Sequence, residues 1–165
     1  MRADHSPKSV ELAARAASTL AYPHVYIPLS GVLASTLKRR GVTEGNAVIS
    51  SAFAAWLAYR SLKAVVHRRR PSARGTEGDD NRSYPSGHAT AATAIAFTTA
   101  YLCLRRNVAR PGPVIATAVA APALIGASRV VLARHWPTDV VGGWLTGTAV
   151  AAGTIFNATS RPEIE

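Results

Sequence analysis

Charge in this sequence is confined to short clusters separated by long uncharged runs, and this segregation limits the fold more than any other feature. The clusters fall at residues 38–40, 67–82 and 105–110; the uncharged runs cover 16–37, 47–59, 89–104, 111–128 and 140–160. A bilayer core takes roughly 17 to 25 residues per helix. Four runs reach or nearly reach that length. The second reaches it when extended to residue 66, which adds only Arg60 and Lys63, long side chains able to snorkel near a helix end. The runs are rich in Ala, Gly and Thr rather than Leu, which suits helices that approach closely within a membrane. The expected fold is all-α, an integral-membrane bundle of about five transmembrane helices. Residues 6–15 supply a short N-terminal helix, and the whole of 1–165 forms a single membrane-embedded domain.

At 165 residues the chain is about one domain long, and 48% apolar content is high for a protein with a net charge of +10. That charge raises nucleic acid as a partner, because Lys and Arg neutralise phosphates. The pattern excludes it: the cations sit between apolar runs rather than along one helical face, and no aromatic residues interleave them as in a nucleic-acid-binding signature. Lipid headgroups and an anionic substrate fit better. Asp4 and Glu11 precede the first run and no convincing cleavage site follows it, so the first span is expected to be retained. Pro23 and Pro28 should kink that run or mark an interfacial start. The lone cysteine, Cys103, leaves no intrachain disulfide to form.

If all five runs cross, the loops near 67–87 and 129–139 share one face, opposite those at 38–46 and 105–112. The chemically unusual residues then collect on the first face. Lys63 and Arg70 are seven apart, about two helical turns, so both should point the same way before Pro71 ends the helix. Arg129 adds a third cation. Three cations on one face of a membrane call for an anion, and a tetrahedral phosphate suits Arg forks and a Lys point charge. Ser86 and Gly87 open the third run, where free backbone N–H groups and the positive end of the helix dipole attract phosphate.

His135 and Asp139 are four apart, with Pro137 placed to start a helix between them. That spacing lets the carboxylate accept the imidazole N–H and fix its tautomer. His88 arrives on another helix without an acid of its own. One oriented histidine and one free histidine point to a nucleophile and a general acid. Two His and one carboxylate are also a conceivable zinc or iron set, but the surrounding cations argue against a metal, and no cofactor is expected. Arg68 and Arg69 read as a topology signal, His5, His24 and His67 as surface groups, and Trp136 and Trp144 as interface anchors or packing residues.

Three segments carry a family resemblance. Residues 63–71 match K-x6-R-P, residues 85–88 match P-S-G-H, and residues 128–139 match S-R-x5-H-x3-D, in order and without a substitution. Together they resemble the signature of the type 2 phosphatidic acid phosphatase (PAP2) family, whose helical core is shared with vanadium haloperoxidases. The resemblance implies that His135 attacks phosphorus to form a phosphohistidine, that Asp139 orients it, and that His88 protonates the leaving alkoxide. It also implies that Lys63, Arg70, Arg129, Ser86 and the Gly87 N–H hold the phosphoryl oxygens without a metal. The expected function is hydrolysis of a lipid-linked phosphomonoester or pyrophosphate in the cell membrane by a multi-pass protein. A polyprenyl-linked cell-wall precursor such as decaprenylphosphoryl-5-phosphoribose comes first. Phosphatidylglycerophosphate, phosphatidic acid and undecaprenyl pyrophosphate are the alternatives, with a non-catalytic membrane scaffold more remote, and a homo-oligomer stays open. Lys and Arg divide almost evenly between the two faces, so the positive-inside rule does not set the orientation, and analogy with bacterial relatives leans to an extracytoplasmic site.

Overall fold

A computed structural model describes residues 7–71 and 81–160. The described residues form six α-helices: α1 (Lys8–Thr19), α2 (Pro23–Arg39), α3 (Ala47–Val65), α4 (Gly87–Arg105), α5 (Pro111–Val131) and α6 (Pro137–Thr159), with a 3-10 turn at Thr43–Asn46 before α3. Helix α4 is the centre of the bundle, against α3, α5 and α6; α2 lies on α3 and α1 on α5.

The first uncharged run is therefore two helices rather than one span. Pro23 occupies the first turn of α2, and Tyr22 before it is extended, with φ −78° and ψ 142°. A residue preceding proline is driven out of the helical region, so α1 stops at Thr19 and the chain turns before restarting. Pro28 sits inside α2 without interrupting it. Helix α1 is longer than the 6–15 segment expected at the N-terminus; residue 6 lies outside the described residues, as does the charged stretch at 72–80. A second correction concerns α3, which ends at Val65 rather than running to Pro71. Val66 is already extended, with ψ 103°, and Arg69 pairs with Arg82 in an antiparallel bridge. Arg70 is thus on an extended segment, not two turns along a helix from Lys63. By length and composition α5 is the one helix among the described residues that qualifies to cross a membrane. Helices α3, α4 and α6 have 19, 19 and 23 residues, but α3 carries Arg60 and Lys63, and α4 and α6 carry more Ala, Gly, Ser and Thr than α5.

Small residues fill the interior and large ones cover the outside. The core groups Tyr26 with Ala52, Ala55, Ala91 and Ala94, and Leu37 with Val42, Val48 and Leu102. Leu12, Val32, Phe53, Leu124, Leu145 and Phe156 are all exposed. Buried hydroxyls bond back to their own helices: Ser51 Oγ to Val48 O at 2.9 Å, Thr90 Oγ1 to Ser86 O at 2.9 Å, Thr93 Oγ1 to Ala89 O at 2.8 Å. This satisfies polar groups without partners from other helices. Helices α4 and α6 touch backbone to backbone. A Cβ on Gly143 would lie 2.7 Å from Ser86 O and one on Gly147 2.5 Å from Thr90 O, so both positions require glycine, the small-residue packing of membrane helices. That contact fixes the start of α4 against the start of α6, where the site lies.

Candidate active site

Several chain segments meet at one end of the bundle: the extended residues at 66–70 and 82–86, the start of α4, and the turn from α5 into α6. Ser86 caps α4, its Oγ accepting the Ala89 N–H at 3.5 Å, and is fully buried. Its own N–H donates to Asp139 O at 2.9 Å. A Cβ on Gly87 would lie 3.0 Å from the Tyr59 ring, so a larger residue there would have to displace that ring. His88, one residue on, meets the edge of the Tyr22 ring at 5.0 Å between centroids. His88 Nε2 is buried without a hydrogen-bond partner among the described residues.

His135 lies in the turn between α5 and α6 and is only 3% exposed. Its Nδ1 donates to the carbonyl of Ser83 at 2.7 Å. A carbonyl only accepts, so this contact puts the proton on Nδ1 and leaves Nε2 with the lone pair. Burial, reinforced by the fields of Arg70, Arg129 and Lys63 and opposed by Asp139, pushes the imidazole pKa down to about 4. The ring is neutral near pH 7, as a nucleophile must be.

The expected hydrogen bond from His135 to Asp139 is replaced by the one to Ser83. Asp139 Oδ2 stands 3.7 Å from Nδ1, close enough for charge to act but beyond hydrogen-bond range. The reason is local. Asp139 is the third residue of α6, and Oδ2 folds back to accept the Trp136 N–H at 2.8 Å, the reach of a capping-box acid. Its other oxygen accepts Arg68 Nη1 at 2.9 Å.

The three cations expected around phosphate converge. Arg129, Lys63 and Arg70 all act electrostatically on His88 and on His135. Lys63 and Arg129 are buried. Lys63 Nζ donates to Arg82 O at 2.8 Å, Arg70 Nη1 to Arg134 O at 3.0 Å, and Arg129 Nη1 to Ser18 Oγ on α1. These contacts hold the cations in place beside the two histidines. Among the described residues no three His, Cys, Asp or Glu side chains gather into a metal-ligating cluster.

Sequence reasoning missed Arg68, Ser83, Tyr22 and Ser18. Arg68 was indistinguishable from its neighbours in an arginine run, Ser83 contributes through its backbone, and Tyr22 and Ser18 come from a helix junction that no motif marks. An apolar groove of about 480 Å³ begins beside this site. Leu20 and Ala21, next to Tyr22, line one end; Ala92, Ile95, Thr99 and Cys103 line the floor. With His88 these four floor residues are spaced by four, three, four and four, one face of α4.

The PAP2 superfamily model matches residues 44–160. The chain is 38% identical over 127 residues to a decaprenylphosphoryl-5-phosphoribose phosphatase of Mycolicibacterium smegmatis, covering 72% of this chain and 61% of that one. It is 32% identical over 130 residues to the decaprenylphosphoryl-5-phosphoribose phosphatase of Mycobacterium tuberculosis, covering 76% and 66%. The chain thus spans less than two thirds of the curated relatives it matches. In fold it is similar to the crystal structure of a transmembrane PAP2-type phosphatidylglycerolphosphate phosphatase from Bacillus subtilis, with a TM-score of 0.74 at 20% identity over 98% of this chain and 91% of that one.

Proposed function

The chain belongs to the PAP2 superfamily, and on that premise we propose that it is a membrane lipid phosphatase, a metal-independent phosphoric monoester hydrolase. The observation that carries the reading is the convergence of Lys63, Arg70 and Arg129 on a neutral, buried His135 and on His88. A phosphate among the cations meets the lone pair on His135 Nε2. Attack forms the nitrogen–phosphorus bond and breaks the bond to the leaving oxygen, which takes a proton from His88. Water, deprotonated by His88, then attacks the phosphohistidine and releases inorganic phosphate, restoring both rings. Ser86 and the Gly87 N–H contribute the helix N-terminus, where phosphoryl oxygens are favoured, and the Asp139 charge steadies His135 as its ring becomes cationic.

Two features support a lipid rather than a soluble ester. The exterior is large and apolar over a small-residue core, the arrangement of helices in lipid. The groove is apolar and follows α4 from Ala92, one turn beyond His88, to Cys103, about 16 Å at 1.5 Å per residue. A headgroup phosphate at His88 would send its tail along that groove. We read α2 to α6 as five spans of the cell membrane with α1 at the interface, in one membrane-embedded domain across 1–165. The names of the mycobacterial relatives favour a polyprenyl-linked substrate, decaprenylphosphoryl-5-phosphoribose.

The test offers purified protein in detergent a panel of decaprenylphosphoryl-5-phosphoribose, phosphatidylglycerophosphate, phosphatidic acid, undecaprenyl pyrophosphate and glucose 6-phosphate, comparing kcat/KM for phosphate release. The expected order puts the polyprenyl phosphoribose first. A preference of a hundredfold, about 2.7 kcal/mol, for glucose 6-phosphate over every lipid overturns the lipid assignment; a preference for a glycerolipid overturns only its polyprenyl part.

A further inference from the structure

Asp139 is fully buried, and a buried carboxylate is costly unless paired and hydrogen-bonded. Its cationic partner is Arg68, which occupies one of the unspecified positions within the 63–71 segment. Arg68 Nη1 donates to Asp139 Oδ1 at 2.9 Å and to Thr138 Oγ1 at 2.6 Å, and the guanidinium lies over the Trp136 ring, 5.6 Å from its centroid. The Trp136 indole N–H donates in turn to Arg69 O at 3.0 Å. The backbone of Arg68 faces the other way. Its carbonyl accepts the Ser83 N–H at 2.8 Å and the Ser83 hydroxyl at 3.1 Å. One residue therefore touches both groups around His135 Nδ1: Ser83, whose carbonyl accepts the imidazole proton, and Asp139, whose carboxylate stands behind it.

We propose that Arg68 is a positioning residue for the nucleophile: its backbone seats Ser83 under His135 and its guanidinium draws the Asp139 carboxylate away from hydrogen-bond contact with the imidazole. The carboxylate then adds charge behind the ring without taking the Nδ1 proton from Ser83, and Nε2 stays aimed at the phosphate. Without the guanidinium, Asp139 Oδ1 has no cation, and the carboxylate, then held through Oδ2 by the Trp136 N–H, can pivot to close the 3.7 Å gap and bond the imidazole directly, turning the ring. His135 is also faced by Arg70, Arg129 and Lys63 and lies near His88; these stay in place when Arg68 is changed, so a change in His135 reports the Arg68–Asp139 contact.

The catalytic part of this proposal rests on the phosphatase reading, so its test has one arm that needs no turnover. In micelles, with 15N-labelled histidine and the His135 signals assigned by their loss in His135→Gln, Arg68→Gln should raise the pH at which His135 titrates, and Arg68→Lys should restore it in part. Unchanged titration in Arg68→Gln overturns the proposal whether or not the protein is a phosphatase. In the kinetic arm, Arg68→Gln should lower kcat by about a hundredfold, the cost of a misplacement of about 1 Å at the reacting centre, with KM little changed. In an Asp139→Asn background the same substitution should cost almost nothing, because two residues acting through one contact are not additive. An equal loss in both backgrounds, or a rise in KM with kcat preserved, overturns the positioning role; the latter would make Arg68 a phosphate ligand. If Arg68→Gln does not fold, Arg68→Lys carries both arms, with the same changes expected at smaller size and unchanged titration and kcat overturning the proposal. Wild-type protein that releases no phosphate from any lipid, with the titration shift intact, counts against the phosphatase reading and leaves the structural role standing.

Discussion

His135 Nδ1 lies 2.7 Å from the carbonyl oxygen of Ser83, 52 residues earlier in the chain. The contact fixes the tautomer of a buried imidazole from a backbone group, so its acceptor does not depend on the Ser83 side chain. His135→Ala removes the proposed nucleophile while touching little of the helix packing. Phosphate release should fall by several orders of magnitude, the usual cost of losing a member of a catalytic unit, with the far-UV spectrum and detergent elution profile unchanged. Activity within about tenfold of wild type would exclude the phosphohistidine route.

The low pKa of His135 makes two statements about pH. As nucleophile it must be neutral, so kcat/KM should hold as pH falls below the ordinary histidine value of 6.5 and drop only as pH nears about 4. Stability moves in the same direction. The unfolded chain takes up the proton near 6.5 and the folded one only near 4, so this group's contribution is fully present above 6.5 and is lost as pH falls through that window. The loss is about 3 kcal/mol at most. Thermal melts in detergent between about pH 7 and about pH 4 measure it; His135→Gln should flatten that part of the curve.

Orthovanadate should inhibit. Lys63, Arg70 and Arg129 surround a site suited to a tetrahedral anion, and a trigonal-bipyramidal vanadate bonded to His135 imitates phosphoryl transfer, so it should bind more tightly than phosphate. EDTA should leave the rate unchanged. Activity abolished by chelation and restored only by Mg2+ or Zn2+ would favour a metal mechanism instead.

Filling the groove should separate lipid from soluble substrates. Ala96 lines it between α4 and its neighbours, and Ala96→Phe narrows it away from the histidines. KM for a decaprenyl substrate should rise about tenfold, equivalent to about 1.4 kcal/mol, while a short-chain phosphate ester is unaffected. Parallel losses on both would mean that the substitution disturbs the site and not the tail.

Single cysteines at Asn81 and Asn107, both exposed, in a Cys103→Ser background, should react with an impermeant thiol reagent from opposite sides of sealed vesicles. Labelling of both from one side contradicts five crossings.

By itself the sequence determined the helical class, the small-residue character of the interior and the identity of the groups that meet at one end. Uncharged runs of near-bilayer length, their Ala, Gly and Thr content, and His88, His135 and three cations with fixed local intervals are all one-dimensional signals, because helix periodicity and helix termini translate spacing directly into direction. Its misreadings came where a local rule met a distant partner. Pro23 marked a kink or an interfacial start in the first run, but did not show that the break there brings the Tyr22 ring onto His88. The seven-residue interval from Lys63 to Arg70 looked helical, but Arg69 pairs with Arg82 and holds the segment extended. The four-residue interval from His135 to Asp139 looked like a hydrogen bond, yet Asp139 caps its own helix and faces Arg68, and the imidazole turns to Ser83. Only the tertiary structure decides such contests, because each donor or acceptor has several chemically adequate partners, and which one it takes depends on which backbone the packing of α4 against α6 brings within 3 Å.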